Sequence, residues 1–223
     1  MALLHRHQIA WLSSDAWQRL LALDWDDKAR ACLGCWADHG LPVVVTRQPA
    51  GGGDGGISVG LCAPRRWGHR RLALRVQPAE VLYFDEFPRL DRVLAQLPPS
   101  ARAPARALAL ALQASGTAAR VYGSHGWQQL TGLDHVREGS DLDVWVAVAS
   151  PGQADAAAAA MEAFAAPSRR LDGELVFDGD AAVAWREWLA WRRGQVRSLL
   201  VKRLHGASVP AHFLPSAAME VTA

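Results

Sequence analysis

Apolar residues recur along the chain in two rhythms. Short runs rich in β-branched and aliphatic side chains, closed off by glycine, proline or charge, predict strands. They cover Gln8 to Leu12, Leu41 to Arg47, Ile57 to Cys62, Arg71 to Gln77, Glu80 to Phe84, Ala118 to Tyr122, Val144 to Val148, Arg169 to Phe177 and Val196 to Leu204. Between them the period lengthens to that of helices. One is predicted from Ala16 to Leu23 behind the capping cluster Ser13-Ser14-Asp15, and a second from Asp26 to His39 with Gly40 as its stop. Further helices are predicted over Pro88 to Leu97, Ala105 to Ala114, His125 to Thr131, Gln153 to Ala165 and Asp180 to Arg193. Pro98-Pro99 stops one of these, and PPSARAP over residues 98–104 is the predicted domain boundary. It divides an N-terminal α+β domain, 1–97, from a C-terminal domain, 105–223, with a loosely attached tail after His205. PAGGGDGG, residues 49–56, lacks the Gly-Lys-Ser/Thr and following helix of a phosphate loop and reads as a flexible connection.

The most informative stretch runs from Ala118 to Val148. Gly123-Ser124 breaks an apolar strand and opens a short helix. A glycine lets the backbone approach a ligand closely, and a serine at a helix start offers a hydroxyl and unpaired N–H groups to an anion. After a polar loop, Ser140-Asp141-Leu142-Asp143 enters the next strand. Strand side chains alternate, so Asp141 and Asp143 share a face about 7 Å apart, and Leu142 points into the core. Two ionised carboxylates on one face call for solvent or a divalent cation, and Mg²⁺ suits carboxylate and phosphate oxygens together. Phosphate-binding groups on one side and metal-binding carboxylates on the other make a phosphoryl-transfer site. Without Gly-Ser upstream and the flanking strands, Asp-x-Asp would read as a solvated loop.

Composition narrows this reading slightly. The chain has 223 residues, half of them hydrophobic, and 24 basic against 22 acidic residues. A net charge of +2 is small for a nucleic-acid-binding module. No apolar run reaches a membrane span, the N-terminus lacks a signal-peptide pattern, and Cys32, Cys35 and Cys62 suit a reducing cytoplasm. Cys32-x-x-Cys35 with His39 would need a further ligand to hold zinc, and the same segment reads as a helix with buried cysteines. Arg65, Arg66, Arg70 and Arg71, with His69, form the densest positive charge, either a solvated turn or a dock for a polyphosphate or acidic partner. Lys202 is one of only two lysines against 22 arginines and is a candidate for a phosphate oxygen. Ten tryptophans are many for this length, and Trp188 and Trp191 lie at core spacing on a predicted helix.

The apolar strand, Gly123-Ser124, spacer and Asp141-x-Asp143 resemble the nucleotidyltransferase superfamily of the DNA polymerase β type. The resemblance implies an α/β (α+β) protein whose C-terminal domain has a mixed sheet flanked by helices. It also implies a third carboxylate from a neighbouring strand, with Glu174 the first choice and Asp172 the second. Across most of the chain, the order of His-x-Gln-x-Ala-Trp-Leu, the arginine-rich turn, Tyr122-Gly123-Ser124, Ser140-Asp141-Leu142-Asp143, Asp172-Gly173-Glu174 and Val183 to Trp188 resembles something narrower. It is that of malonate decarboxylase holo-acyl-carrier-protein synthase, also called phosphoribosyl-dephospho-CoA transferase. The family's His-Asp near the start is His7-Gln8 in this chain.

The resemblance implies transfer from 2′-(5-triphosphoribosyl)-3′-dephospho-CoA to a serine of the apo acyl-carrier subunit of malonate decarboxylase, with diphosphate leaving. Asp141 and Asp143 would hold Mg²⁺, Glu174 would assist as base or ligand, and Gly123-Ser124 would grip the phosphates. The arginine turn would bind donor or carrier. A general nucleotidyltransferase using an ordinary nucleotide and a non-catalytic binding module are the competing readings.

Overall fold

A computed structural model describes residues 4–49, 55–177 and 180–210. Most of the glycine-rich run, 50–54, and the tail beyond 210 lie outside the described residues, so the expectations placed there have no structural counterpart. The chain forms two compact units. One comprises Met1–Phe87, Gly126–Val136 and Leu204–Gly206; the other comprises Pro88–His125, Arg137–Arg203 and Ala207–Ala223. Among the described residues no helix is long and apolar enough to cross a membrane.

The first unit holds β1 (Gln8–Leu12), α1 (Ser14–Leu21), α2 (Asp27–Asp38), β2 (Val43–Val45), β3 (Ile57–Cys62), β4 (Arg71–Val76) and β5 (Val81–Glu86). Its sheet runs β4-β3-β2-β1-β5, antiparallel throughout. The helices start where capping chemistry allows. Ser13 accepts from the Ala16 N–H at 3.2 Å and Asp26 from the Ala29 N–H at 3.0 Å, each satisfying a donor that the first turn leaves unpaired. Four of the aromatic rings make a knot in this unit: Trp36 packs edge-on to Trp127 and His135, and Phe87 edge-on to Trp127. The Trp36 indole donates to the Pro42 carbonyl at 3.0 Å, so its buried N–H is satisfied.

The second unit contains α3 (Leu90–Val93), α4 (Pro99–Ala114), β6 (Ala119–Val121), the start of α5 (Gly123–Thr131), β7 (Leu142–Val148), α6 (Pro151–Glu162), β8 (Leu171–Phe177), β9 (Ala181–Ala184), α7 (Trp185–Arg192) and β10 (Val201–Arg203). With β11 (Gly206–Ser208), the sheet order is β11-β10-β9-β8-β7-β6. It is mixed: β7 and β8 run parallel, and β6–β7, β8–β9 and β9–β10 run antiparallel. Helix α6 makes the crossover that parallel neighbours require. Leu142, Val144, Val146 and Val148 of β7 and Leu171, Leu175 and Phe177 of β8 enter one core with Leu108 and Leu112 of α4, Met161 of α6 and Trp188 of α7. The sheet is therefore one-sided with respect to this core. Gly173 shares the core face, and a Cβ there would strike the Val144 carbonyl and the Met161 methyl, so only glycine lets β7, β8 and α6 close up.

Predicted and observed elements differ in places. Residues 98–104 are helical: Pro98 caps and Pro99 begins α4, which continues through Pro104. Proline is tolerated at a helix start because its missing N–H would have no partner there. The predicted helix Asp180 to Arg193 is a strand followed by a helix. Ala181–Ala184 pairs antiparallel with β8, and α7 starts only at Trp185, so ladder pairing overrides alanine's helix propensity. The strand expected over Val196 to Leu204 shrinks to Val201–Arg203.

Candidate active site

The parallel register of β7 and β8 sets the geometry. Asp143 pairs with Asp172 and Trp145 with Glu174. One step outward, the Leu142 N–H donates to the Arg170 carbonyl at 2.8 Å, which aligns Arg170 beside Asp141. Side chains alternate along a strand, so three cross-strand pairs share the face away from the helices: Asp141 with Arg170, Asp143 with Asp172, and Trp145 with Glu174. Lys202 reaches the same floor from β10, where it pairs with Ala182.

The Gly-Ser corner closes onto this floor. The Tyr122 N–H donates to the Asp143 carbonyl at 3.0 Å, extending the β6–β7 pairing up to the glycine. Gly123 is left-handed, with φ +61°, and a Cβ on it would fall within the Asp143 carboxylate. Both facts demand glycine: one for backbone conformation, the other for space. Ser124 follows in the first turn of α5, where N–H groups have no intrahelical acceptor. His125 is fully buried, and burial together with Arg169 brings its imidazole down to about 4, so it adds no charge near neutral pH.

The carboxylates differ in state. Asp143 is pushed from 3.8 up to about 7, first by burial and then by the charges of Asp141 and Asp172, with Arg170 opposing. Asp141 accepts from Arg170 Nη2 at 2.7 Å and Nε at 3.2 Å. Asp172 accepts from Arg186 at 3.3 Å and is about half exposed. Glu174 is buried and accepts from Lys202 Nζ at 2.9 Å. The first-choice third carboxylate thus sits one pair deeper in an ion pair with the candidate lysine, and the second choice is the one beside Asp143. Arg170 is the residue that sequence reasoning missed. Arg170 carried a signal, because 170, 172 and 174 share one strand face at period two.

Loss of the Asp143 charge has a measurable pH signature. Without divalent cation the folded protein keeps a proton that the unfolded chain releases near pH 4. Stability from this group therefore falls as pH rises from about 4 to about 7. Asp143→Asn removes that dependence, so its melting temperature relative to the parent should climb between about pH 5 and pH 8 in chelator. A pH-independent difference would show that Asp143 is not held protonated.

The other predicted site residues lie in the first unit. Arg65 and Arg66 fall in a 3₁₀ turn, Arg65–Trp67, and Arg71 opens β4; all four arginines are exposed. Arg66 donates to the Cys35 sulfur at 2.8 Å and lies 3.7 Å from the centre of the Trp67 ring. Arg70 bonds both oxygens of Asp26, at 2.6 and 2.7 Å. Two of the four are thus already engaged locally. Cys32 is buried on α2, whereas Cys35, expected buried, is partly exposed.

Three oxygen-donor side chains, Asp141, Asp143 and Asp172, lie at the mouth of β7 and β8, where burial first and like charge second disfavour the ionised Asp143. Hard oxygen donors in need of positive charge fit Mg²⁺. Among the described residues no group of three or more His, Cys, Asp or Glu side chains is arranged to hold a metal by itself. Mg²⁺ sites commonly use one or two carboxylates and take their remaining ligands from water and substrate phosphates.

Fold and floor together define an α+β protein with an acidic cluster at a strand mouth beside a glycine corner, and comparison with known proteins places it among transferases. Residues 5–87 match the family model described as phosphoribosyl-dephospho-CoA transferase MdcG N-terminal domain, and residues 89–212 match its C-terminal domain counterpart. Curated relatives named phosphoribosyl-dephospho-CoA transferase include one from Xanthomonas campestris pv. campestris, 32% identical over 202 residues, covering 90% of this chain and 91% of that one. One from Xanthomonas euvesicatoria pv. vesicatoria is 33% identical over 216 residues, 96% and 95% of the two chains. One from Bradyrhizobium diazoefficiens is 36% identical over 203 residues, 89% and 86%. The chain belongs to the phosphoribosyl-dephospho-CoA transferase family. No solved structure matches it significantly.

Proposed function

We propose that this protein is a metal-dependent holo-acyl-carrier-protein synthase of the cytoplasm. It moves the phosphoribosyl-dephospho-CoA group from 2′-(5-triphosphoribosyl)-3′-dephospho-CoA to a serine of the apo acyl-carrier subunit of malonate decarboxylase. The serine oxygen attacks the phosphorus next to the ribose, the bond from that phosphorus to the bridging oxygen breaks, and diphosphate leaves. The product is a phosphodiester, and the serine proton passes to a base. The observation that carries the reading is the register of β7, which sets Asp143 opposite Asp172 on β8 and, through its pairing with β6, against the Gly123 corner.

In this reading Asp141 and Asp143 hold Mg²⁺, which when bound supplies charge for the pentavalent transition state. Gly123, Ser124 and the following N–H groups of α5 face the phosphates. Asp172, half exposed and beside Asp143, is better placed than Glu174 to take the serine proton. Glu174 and Lys202 neutralise one another, so Lys202 reaches phosphate only by leaving that carboxylate. The exposed turn with Arg65, Arg66, Arg70 and Arg71 is offered to an anion, either the donor's triphosphate or the acidic face of the carrier.

The test offers the triphosphoribosyl donor, ATP and CTP in parallel, each with Mg²⁺ and apo carrier subunit. Intact-mass measurement of the carrier and release of diphosphate should both report transfer from the triphosphoribosyl donor, with at least about 100-fold preference, or roughly 3 kcal/mol. Equal transfer from ATP or CTP would make this a general nucleotidyltransferase. Carrier binding with no diphosphate released from any donor would make it a binding module.

A further inference from the structure

Arg170 lies at the outer edge of the acidic cluster, paired with Asp141. Its guanidinium makes two bonds to one oxygen of Asp141, at 2.7 and 3.2 Å. Hydrogen bonding to Asp141, and the charges of Asp141, Asp172 and Asp143, hold its proton still more firmly than usual. The backbone fixes the residue in the β7–β8 ladder, yet the side chain is 65% exposed, so its tip can swing. Asp141 is the carboxylate that the proposed metal requires, and a metal on either of its oxygens would share that carboxylate with the guanidinium. A metal bound there would repel the guanidinium. The nearest anion open to a planar, exposed fork would then be the polyphosphate entering with the metal.

Resting on the metal-dependent reading above, we propose that Arg170 is the resident counter-ion of the carboxylate cluster and exchanges Asp141 for the donor's polyphosphate when the divalent cation binds. Arg170 is thus a donor-binding residue that also tunes metal entry. The exchange couples the two ligands. Metal alone has to compete with an arginine for Asp141, whereas metal with polyphosphate gives that arginine a new partner. Arg186 stays on Asp172, where it is anchored by a second bond from its Nη2 to the Leu171 carbonyl at 2.8 Å.

The test uses the full chain and two probes, Mn²⁺ alone and inorganic tripolyphosphate at saturating Mn²⁺, each followed by calorimetry. Arg170→Ala should bind Mn²⁺ alone about two- to fivefold more tightly, as expected for losing a competing exposed ion pair. The same variant should bind tripolyphosphate at least about tenfold more weakly, for the loss of charge-assisted hydrogen bonds. Arg170→Lys, which keeps charge but not the fork, should fall between parent and alanine variant in both. Opposite signs are the signature. Weakening of both, or unchanged tripolyphosphate affinity, would overturn the exchange and leave Arg170 a structural ion pair. Failure of the underlying reading looks different: Asp143→Asn would then bind Mn²⁺ as well as the parent does.

Discussion

Replacing Asp143 with asparagine should lower the rate of carrier modification by about 10³-fold or more while leaving the fold intact. Losing one ligand of a divalent cation removes several kcal/mol of transition-state stabilisation, and each 1.4 kcal/mol is about tenfold in rate. Asparagine keeps the shape and can still accept a hydrogen bond, so packing against Gly123 survives. The metal-free variant should be at least as stable as the parent near pH 8, because a carboxylate pushed up to about 7 is a site where the charged form is disfavoured. Asp141→Asn should lose comparable activity and also free Arg170 from its partner. Near-parental turnover in either variant, with the chain folded, would remove the metal role from these carboxylates.

The second large effect is expected at Gly123. Alanine there meets two penalties. A left-handed φ costs an L residue roughly 1–2 kcal/mol, and the new methyl lands within the Asp143 carboxylate. The carboxylate has to move, so Gly123→Ala should lose at least about 100-fold in activity, along with a few degrees of melting temperature. Ser124→Ala, which removes a hydroxyl but no geometry, should cost less, about 10- to 100-fold if that hydroxyl bonds a phosphate. A double-mutant cycle separates corner from carboxylate. If Gly123→Ala acts by displacing Asp143, combining it with Asp143→Asn should add little to the activity loss. Full additivity would mean that the glycine acts elsewhere.

Much of this was legible in the chain because it is local. Strands β1, β3 and β7 lie close to where runs of apolar residues ended at polar or glycine punctuation, and α1 and α2 begin beside Ser13 and Asp26, whose side chains cap them. The pairing of Asp141 with Asp143 needed only the two-residue period of a strand. What was not legible depends on which strands are neighbours. Nothing in Arg169 to Phe177 says that β8 lies parallel to β7 in the register that sets Asp172 opposite Asp143, and a shift of two residues would have put Glu174 there. Arg170 became meaningful only once that register was fixed. Ala181–Ala184 shows the same limit: its alanines favour a helix alone and a strand beside β8. Trp36 and Trp127 had no reading until they met across distant segments.

The β7–α6–β8 crossover also constrains how the chain can vary in length. Apart from Lys202, the side chains of the floor come from the two strands it joins or from the residue just before each. The connection after α6, residues 163–169, can gain or lose a residue without turning any of them, because it lies between elements. Inside β8 a single inserted residue reverses every later side chain. Glu174 would be driven toward Met161 and Trp188, and apolar residues would surface where the phosphates are handled. Insertions and deletions are therefore expected to be tolerated on one side of Arg170 and lethal to activity on the other.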